Sequence, residues 1–174
     1  AIPLFDEFLS SGDPDPAMWV TSEADINDFA VSPPTPPYAL NLNGAPDGGD
    51  QITMLPVDLS ATGDSEVILS YSYQPGGTLN EPETSDSLRL LLKNNFDDWI
   101  LVRAYNGTPL HEFRQETIDL ATEPAGGGTF LHDRFQLRFE NIGAAGTFPN
   151  DNWFIDDVRI EIAITDIDET PEIA

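Results

Sequence analysis

Cysteine is absent from the 174 residues, which excludes disulfides, thiolate metal sites and cysteine nucleophiles together. Positive charge is scarce: Lys93 is the lone lysine, and with the arginines it makes 7 basic residues against 31 acids, a net charge of −24. A field of that sign repels polyanions, so nucleic acid and anionic membrane surfaces are not expected partners. No apolar run approaches the length of a bilayer span, so membrane insertion is not expected either, and the first residues lack the basic and apolar regions of a signal peptide. Stretches free of glycine and proline are few, the longest being 83–106 and 150–170. With 15 prolines and 13 glycines, the chain reads as many short strands joined by turns, with no convincing helix.

What is present is alternation. Leu4–Phe8 reads as a short opening strand, Trp19–Thr21 as a second and Ile26–Val31 as a third. Tyr38, Leu40 and Leu42 alternate with Ala39 and Asn41 beyond a proline-rich connector, as in a half-buried strand. Val67, Leu69, Tyr71 and Tyr73 share one face of a strand whose other face carries Ile68, Ser70 and Ser72. Leu88, Leu90 and Leu92 alternate in the same way, and so do Phe135, Leu137 and Phe139. Asn106-Gly107 is a hairpin signal between a strand Trp99–Tyr105 and another starting near Leu110. The chain closes on Asn152–Ile164, whose apolar run is interrupted by Asp156 and Asp157. About ten strands with strands at both ends predict an all-β, two-sheet antiparallel β-sandwich of the jelly-roll type over residues 1–165, with 166–174 as an acidic tail or linker.

The order of motifs resembles the MAM-like jelly rolls and their bacterial cleaved-adhesin and choice-of-anchor relatives. It is carried by Phe5-Asp6-Glu7-Phe8, Trp19, Leu55-Pro56-Val57-Asp58-Leu59, Leu69-Ser70-Tyr71-Ser72-Tyr73, Ser87-Leu88-Arg89-Leu90, Trp99 and the closing Trp153-Phe154-Ile155-Asp156-Asp157-Val158. The resemblance implies a concanavalin-like sandwich appended to secreted or cell-surface proteins of bacteria or archaea, with a structural calcium ion bridging first and last strands. It implies ligands from Asp6 at the opening motif and from Asp156 or Asp157 at the closing one. The opening motif of the family usually has Glu then Gly where this chain has Asp6-Glu7-Phe8, so either Asp6 or Glu7 fills that role.

The residues themselves also point to an ion. Adjacent carboxylates in a core strand are costly without a partner, and calcium is bound by oxygen ligands alone. Asp6, Glu7, Asp156 and Asp157 supply the charge, and Asp47 and Asp50 in the glycine-rich loop extend the set; the plainer reading is strand-end capping or pairing with Arg159. Alternation also sends Arg89, Gln136, Arg138 and Arg159 outward. With Trp99 as a stacking surface they make a candidate glycan-binding face, although cross-strand pairing with Glu140 and Glu161 accounts for the same pattern. Catalytic signals are poor. His111-Glu112 is followed by Gln115 where a zinc-protease helix needs its second histidine, and His132-Asp133 has no nucleophile elbow beside it. The expected function is therefore non-catalytic: an extracellular, calcium-stabilised module for adhesion or carbohydrate binding within a larger protein, with a glycan or a surface protein as partner. The alternative is a structural or docking module that binds no glycan.

Overall fold

A computed structural model describes residues 2–44, 49–63, 65–143 and 150–163. Eleven strands account for the regular structure among them: β1 (Leu4–Asp6), β2 (Trp19–Ser22), β3 (Asp25–Asn27), β4 (Ala39–Gly44), β5 (Gln51–Met54), β6 (Val67–Pro75), β7 (Ser87–Lys93), β8 (Trp99–Asn106), β9 (Arg114–Asp119), β10 (Leu137–Ile142) and β11 (Asn150–Ile162). One 3-10 turn, Ser60–Thr62, is the sole helical element of the described residues. None of the described helices is long and apolar enough to cross a membrane.

The strands form two antiparallel sheets. The first runs β3-β4-β11-β6-β9, with β1 also paired to β11; the second runs β2-β5-β10-β7-β8. β11 is long enough to hold β4 along residues 150–155 and β1 along residues 158–160. First and last strands thus lie side by side, with Leu4 opposite Ile160 and Asp6 opposite Val158.

The core between the sheets follows the alternation of the sequence. Val67, Leu69, Tyr71 and Tyr73 of β6 face Leu88, Leu90 and Leu92 of β7 and Leu137 and Phe139 of β10 across it, all buried. β11 contributes Trp153 and Ile155 and then Val158 and Ile160. Two core residues three apart cannot sit on one face of a regular strand. The register supplies the reason: Asp156 lies opposite Ser72 and Arg159 opposite Ser70, so one extra residue is inserted in β11. Asp157 takes it up with φ of 52°, and the bulge keeps both acids out of the core while returning Val158 to it.

Two expected elements differ. The third strand covers only Asp25–Asn27, and the following residues leave the sheet to lie over its outer surface. Asn106-Gly107 does not close a hairpin, because β8 pairs with β7 in the second sheet and β9 with β6 in the first. The chain crosses between sheets there. Gly107 is held by packing: a Cβ on it would stand 2.5 Å from the Pro82 carbonyl oxygen, and its N–H donates to the Asp86 carbonyl at 3.2 Å.

Candidate functional site

The two outer surfaces of the sandwich differ in access. Over the first sheet, the connector between β3 and β4 folds back. Val31 and Gln74 exchange two hydrogen bonds, Val31 N–H to Oε1 at 2.8 Å and Nε2 to the Val31 carbonyl at 3.0 Å. The Thr78 N–H reaches the Phe29 carbonyl at 2.8 Å. Beneath this cover Ala39, Phe154, Ser72 and Gln74 are buried although they point away from the main core.

The outer surface of the second sheet has no such cover, and its registers stack residues in rows. Val20 of β2 lies opposite Thr53 of β5, Thr53 opposite Arg138 of β10, Arg138 opposite Leu91 of β7, and Leu91 opposite Leu101 of β8. That row crosses all five strands, roughly 19 Å at ordinary strand spacing. On one side of it Glu140 pairs with Arg89 and Arg89 with Ala104; on the other, Gln136 stands beside Lys93, and Lys93 opposite Trp99. Val20 and Leu101, at the two edges, are 59% and 51% exposed.

Hydrogen bonds orient this face. The Arg138 guanidinium lies 4.2 Å from the centre of the Trp99 ring, donates from Nε to Thr53 Oγ1 at 2.9 Å and reaches Glu140 at 3.4 Å. Gln136 Nε2 donates to the Met54 carbonyl at 2.9 Å, and its Oε1 accepts from Lys93 Nζ at 3.4 Å. The indole is thus fixed under the Arg138 guanidinium, which stacks on one of its faces, with Lys93 Nζ 5.7 Å from its centre. Arg89 makes no ion pair among the described residues.

Of the ligand-face candidates read from sequence, Arg89, Arg138, Gln136 and Trp99 come together here. Arg159 does not: it stands on the first sheet, opposite Ser70, and pairs with Glu7 at 3.2 Å. Ser70 and Ser72 belong to that other sheet as well. Thr53, Lys93, Leu91 and Leu101 complete the face and were not singled out. The alternation of β7 carried the signal for Lys93 and Leu91; Thr53 needed the β5–β10 pairing.

The acidic residues fall into separate neighbourhoods. At the bulge, Asp156 is fully buried. It accepts from the Thr35 N–H at 2.9 Å and the Asp157 N–H at 2.8 Å, and Thr35 Oγ1 donates to Asp157 at 2.7 Å. Burial raises its pKa to about 7; the charges of Asp157 and Glu7 add to the rise, against the pull of the two N–H donors. Glu7, just past β1, pairs with Arg159 of β11 at 3.2 Å. Asp6 is engaged elsewhere, accepting from Trp19 Nε1 at 2.8 Å and from the Phe8 N–H at 2.8 Å. Asp50 is buried beside Asn43, whose N–H it accepts at 2.9 Å, and burial, with Glu23 and Asp25 nearby, raises its pKa to about 6. Asp47 lies outside the described residues. The one trio of acidic side chains that gathers within 4.8 Å among the described residues is Glu83, Asp86 and Asp151, none of them a candidate from sequence.

No protein-family model matches the chain, and no curated protein matches it in sequence. Solved structures do match in fold. The CBM22-1 xylan-binding domain of Paenibacillus barcinonensis Xyn10C superimposes with a TM-score of 0.51 at 12% identity, covering 91% of this chain and 92% of that one. The C-terminal family 22 carbohydrate-binding module of Clostridium thermocellum Xyn10B gives 0.55 at 9% identity, covering 93% and 94%. An exo-beta-agarase gives 0.62 at 12% identity over 94% of this chain but only 26% of its own. At such identities the likeness establishes the jelly-roll β-sandwich, shared with carbohydrate-binding modules.

Proposed function

We propose that this chain is a non-catalytic carbohydrate-binding module of a secreted or cell-surface protein, and that it binds a neutral β-linked glycan chain across the outer face of the second sheet. The observation that carries this reading is the contrast between the two faces. One is covered by its own connector, while the other is an open strip with a fixed indole, oriented guanidinium and amide donors and apolar margins. Sugars present apolar C–H faces that stack on indole rings and hydroxyls that pair with such donors. Three of the chain's seven basic residues stand on this strip, Arg89, Lys93 and Arg138. In a chain of net charge −24, that gathers on one face donors able to pair with sugar hydroxyls. Trp99 stacks on a sugar ring through the part of its indole that Arg138 leaves uncovered, Arg138 and Gln136 donate to the sugar hydroxyls, and Glu140 accepts. The fold shared with xylan-binding modules supports xylan as the first glycan to test.

The reading includes a structural Ca²⁺ at the β1–β11 seam, with Asp156 and Asp157 as its carboxylates; Glu7, which pairs with Arg159 and does not gather with them within 4.8 Å, would join only by leaving that pair. The fit rests on the fully buried Asp156 carboxylate with two like charges against it, an arrangement an ion of that charge relieves. Its role is to bind the folded chain and tie the termini of the domain together.

Calorimetric titration with xylohexaose tests the glycan reading. The protein is expected to bind saturably, and Trp99→Ala to weaken binding by roughly five- to a hundredfold, the scale of roughly 1–3 kcal/mol known for flat rings stacked on an aromatic side chain. Arg138→Gln should weaken it less. Affinity unchanged in both variants would overturn the assignment of the face.

A further inference from the structure

We infer that the protein carries a second sugar subsite, away from the sheet face, in a cavity at the open edge of the sandwich between β8 and β9. It would take the terminal unit of a neutral glycan. The inference deepens the carbohydrate-binding reading but stands on different residues.

β8 and β9 are the outermost strands of the two sheets, so between them the core has an edge that must be closed. Part of it is closed by ions. Arg103 of β8 donates to Glu116 of β9 at 2.9 Å and to Glu123 at 3.0 Å, linking the sheets. One strand pair further along, Arg114 lies opposite Tyr73, as Glu116 lies opposite Tyr71. Cross-strand partners share a face, so Arg114 stands on the same inner side as Glu116. It is exposed, however, and makes no ion pair among the described residues. Like Arg89, it is thus a guanidinium with no carboxylate partner among the described residues.

A cavity of about 220 Å³ opens beside it, walled by Tyr73, Tyr105, Asn106, Pro109 and His111 with Arg114, and by no carboxylate. The walls are stiff. Tyr73 and Tyr105 stack with centroids 3.9 Å apart, His111 meets Tyr73 edge-on at 5.3 Å, and the Tyr105 hydroxyl is tied to that of Tyr71 at 2.6 Å. His111 Nδ1–H donates to the Glu112 carbonyl at 2.7 Å, so its Nε2 is an acceptor. Burial and the nearby Arg114 charge hold the imidazole below its ordinary pKa, which keeps it neutral at pH 7. Flat apolar walls, a forked donor and a neutral acceptor match a sugar ring with adjacent hydroxyls. The volume suits one ring rather than a chain. The field of the whole molecule opposes an anion, which makes a neutral sugar the fitting occupant.

The test is a titration of the intact protein with xylohexaose followed by NMR at resolved side chains. The His111 ring and Arg114 Nε–H resonances report the cavity, and the Trp99 indole N–H reports the sheet face. The expected result is saturable movement of the His111 and Arg114 signals. Arg114→Gln should weaken the His111 response about tenfold, the loss of a charge-assisted hydrogen-bond pair, while Arg114→Lys, which keeps the charge but not the fork, should weaken it less. Movement at His111 with a still Trp99 would support the cavity and sink the sheet-face reading. Movement at Trp99 alone would do the reverse. Glucuronate moving the His111 signals at lower concentration than xylohexaose would overturn the neutral-sugar assignment.

Discussion

Asp156 shows what one residue asks of its surroundings. Its folded-state pKa of about 7 lies above the ordinary value of about 4, so the folded chain holds this proton more tightly than the unfolded one. The stability that the proton contributes is fully present below about pH 4 and is lost as pH rises through about 7. In calcium-free buffer at pH 8, Asp156→Asn is therefore expected to melt higher than the parent, by roughly 5 °C or more, with the gap closing below pH 4. The proposed calcium ion is expected to reverse the order at neutral pH, because it would favour the deprotonated carboxylate. Adding it should raise the parent's melting temperature at pH 7.5, a chelator should remove the gain, and Asp156→Asn should show neither response. Identical melts with calcium and with chelator would contradict the ion. Asp156 and Asp157 were legible in the sequence as acids out of place, because adjacent carboxylates interrupt an apolar run in a chain with few cations to pair with them. Thr35, which donates to both of them, was not legible. It sits in a proline-rich connector, and its meeting with β11 spans more than a hundred residues.

Strands with one-sided alternation are legible directly, since β6, β7 and β10 each place apolar residues on the core face, although the polar outer face of β6 is buried too, under the connector. Membership of a sheet was harder, because it depends on partners that alternation does not name. Arg159 alternates outward just as Arg138 does, and only the pairing of β11 with β6 puts it on the opposite side of the molecule. The Asn106-Gly107 signal failed for a related reason: the dipeptide permits a tight turn, but the chain there passes from one sheet to the other. Glycine at such points answers to close packing. Gly77 is the clearest case, with φ of 57° and a Cβ position 2.5 Å from the Phe154 ring and 2.6 Å from the Phe29 carbonyl. It lets the cover of the first sheet press onto Phe154. Gly77→Ala should destabilise the protein by roughly 1–3 kcal/mol in urea unfolding, through strain and a lifted cover. An unchanged midpoint would mean that the cover does not depend on this approach.

For the whole molecule, the asymmetry of the two faces is what carries the proposed function. A β-sandwich needs only its inner faces for stability, and here the outer face of the first sheet is spent on a connector and a seam between chain ends. The second sheet alone keeps a broad, solvated surface with few carboxylates. The three tryptophans sample this division. Trp19 is tied to Asp6 through its indole N–H, Trp153 is fully buried in β11, and Trp99 lies on the open face under Arg138. Their indole N–H resonances in one NMR spectrum therefore form a built-in control, and the most direct measurement of the central claim is to follow them as xylohexaose is added. The account predicts that the Trp99 signal moves to saturation while those of Trp19 and Trp153 stay fixed. A Trp99 signal that stays in place through millimolar xylohexaose, or one that moves only together with the two buried indoles, would contradict it.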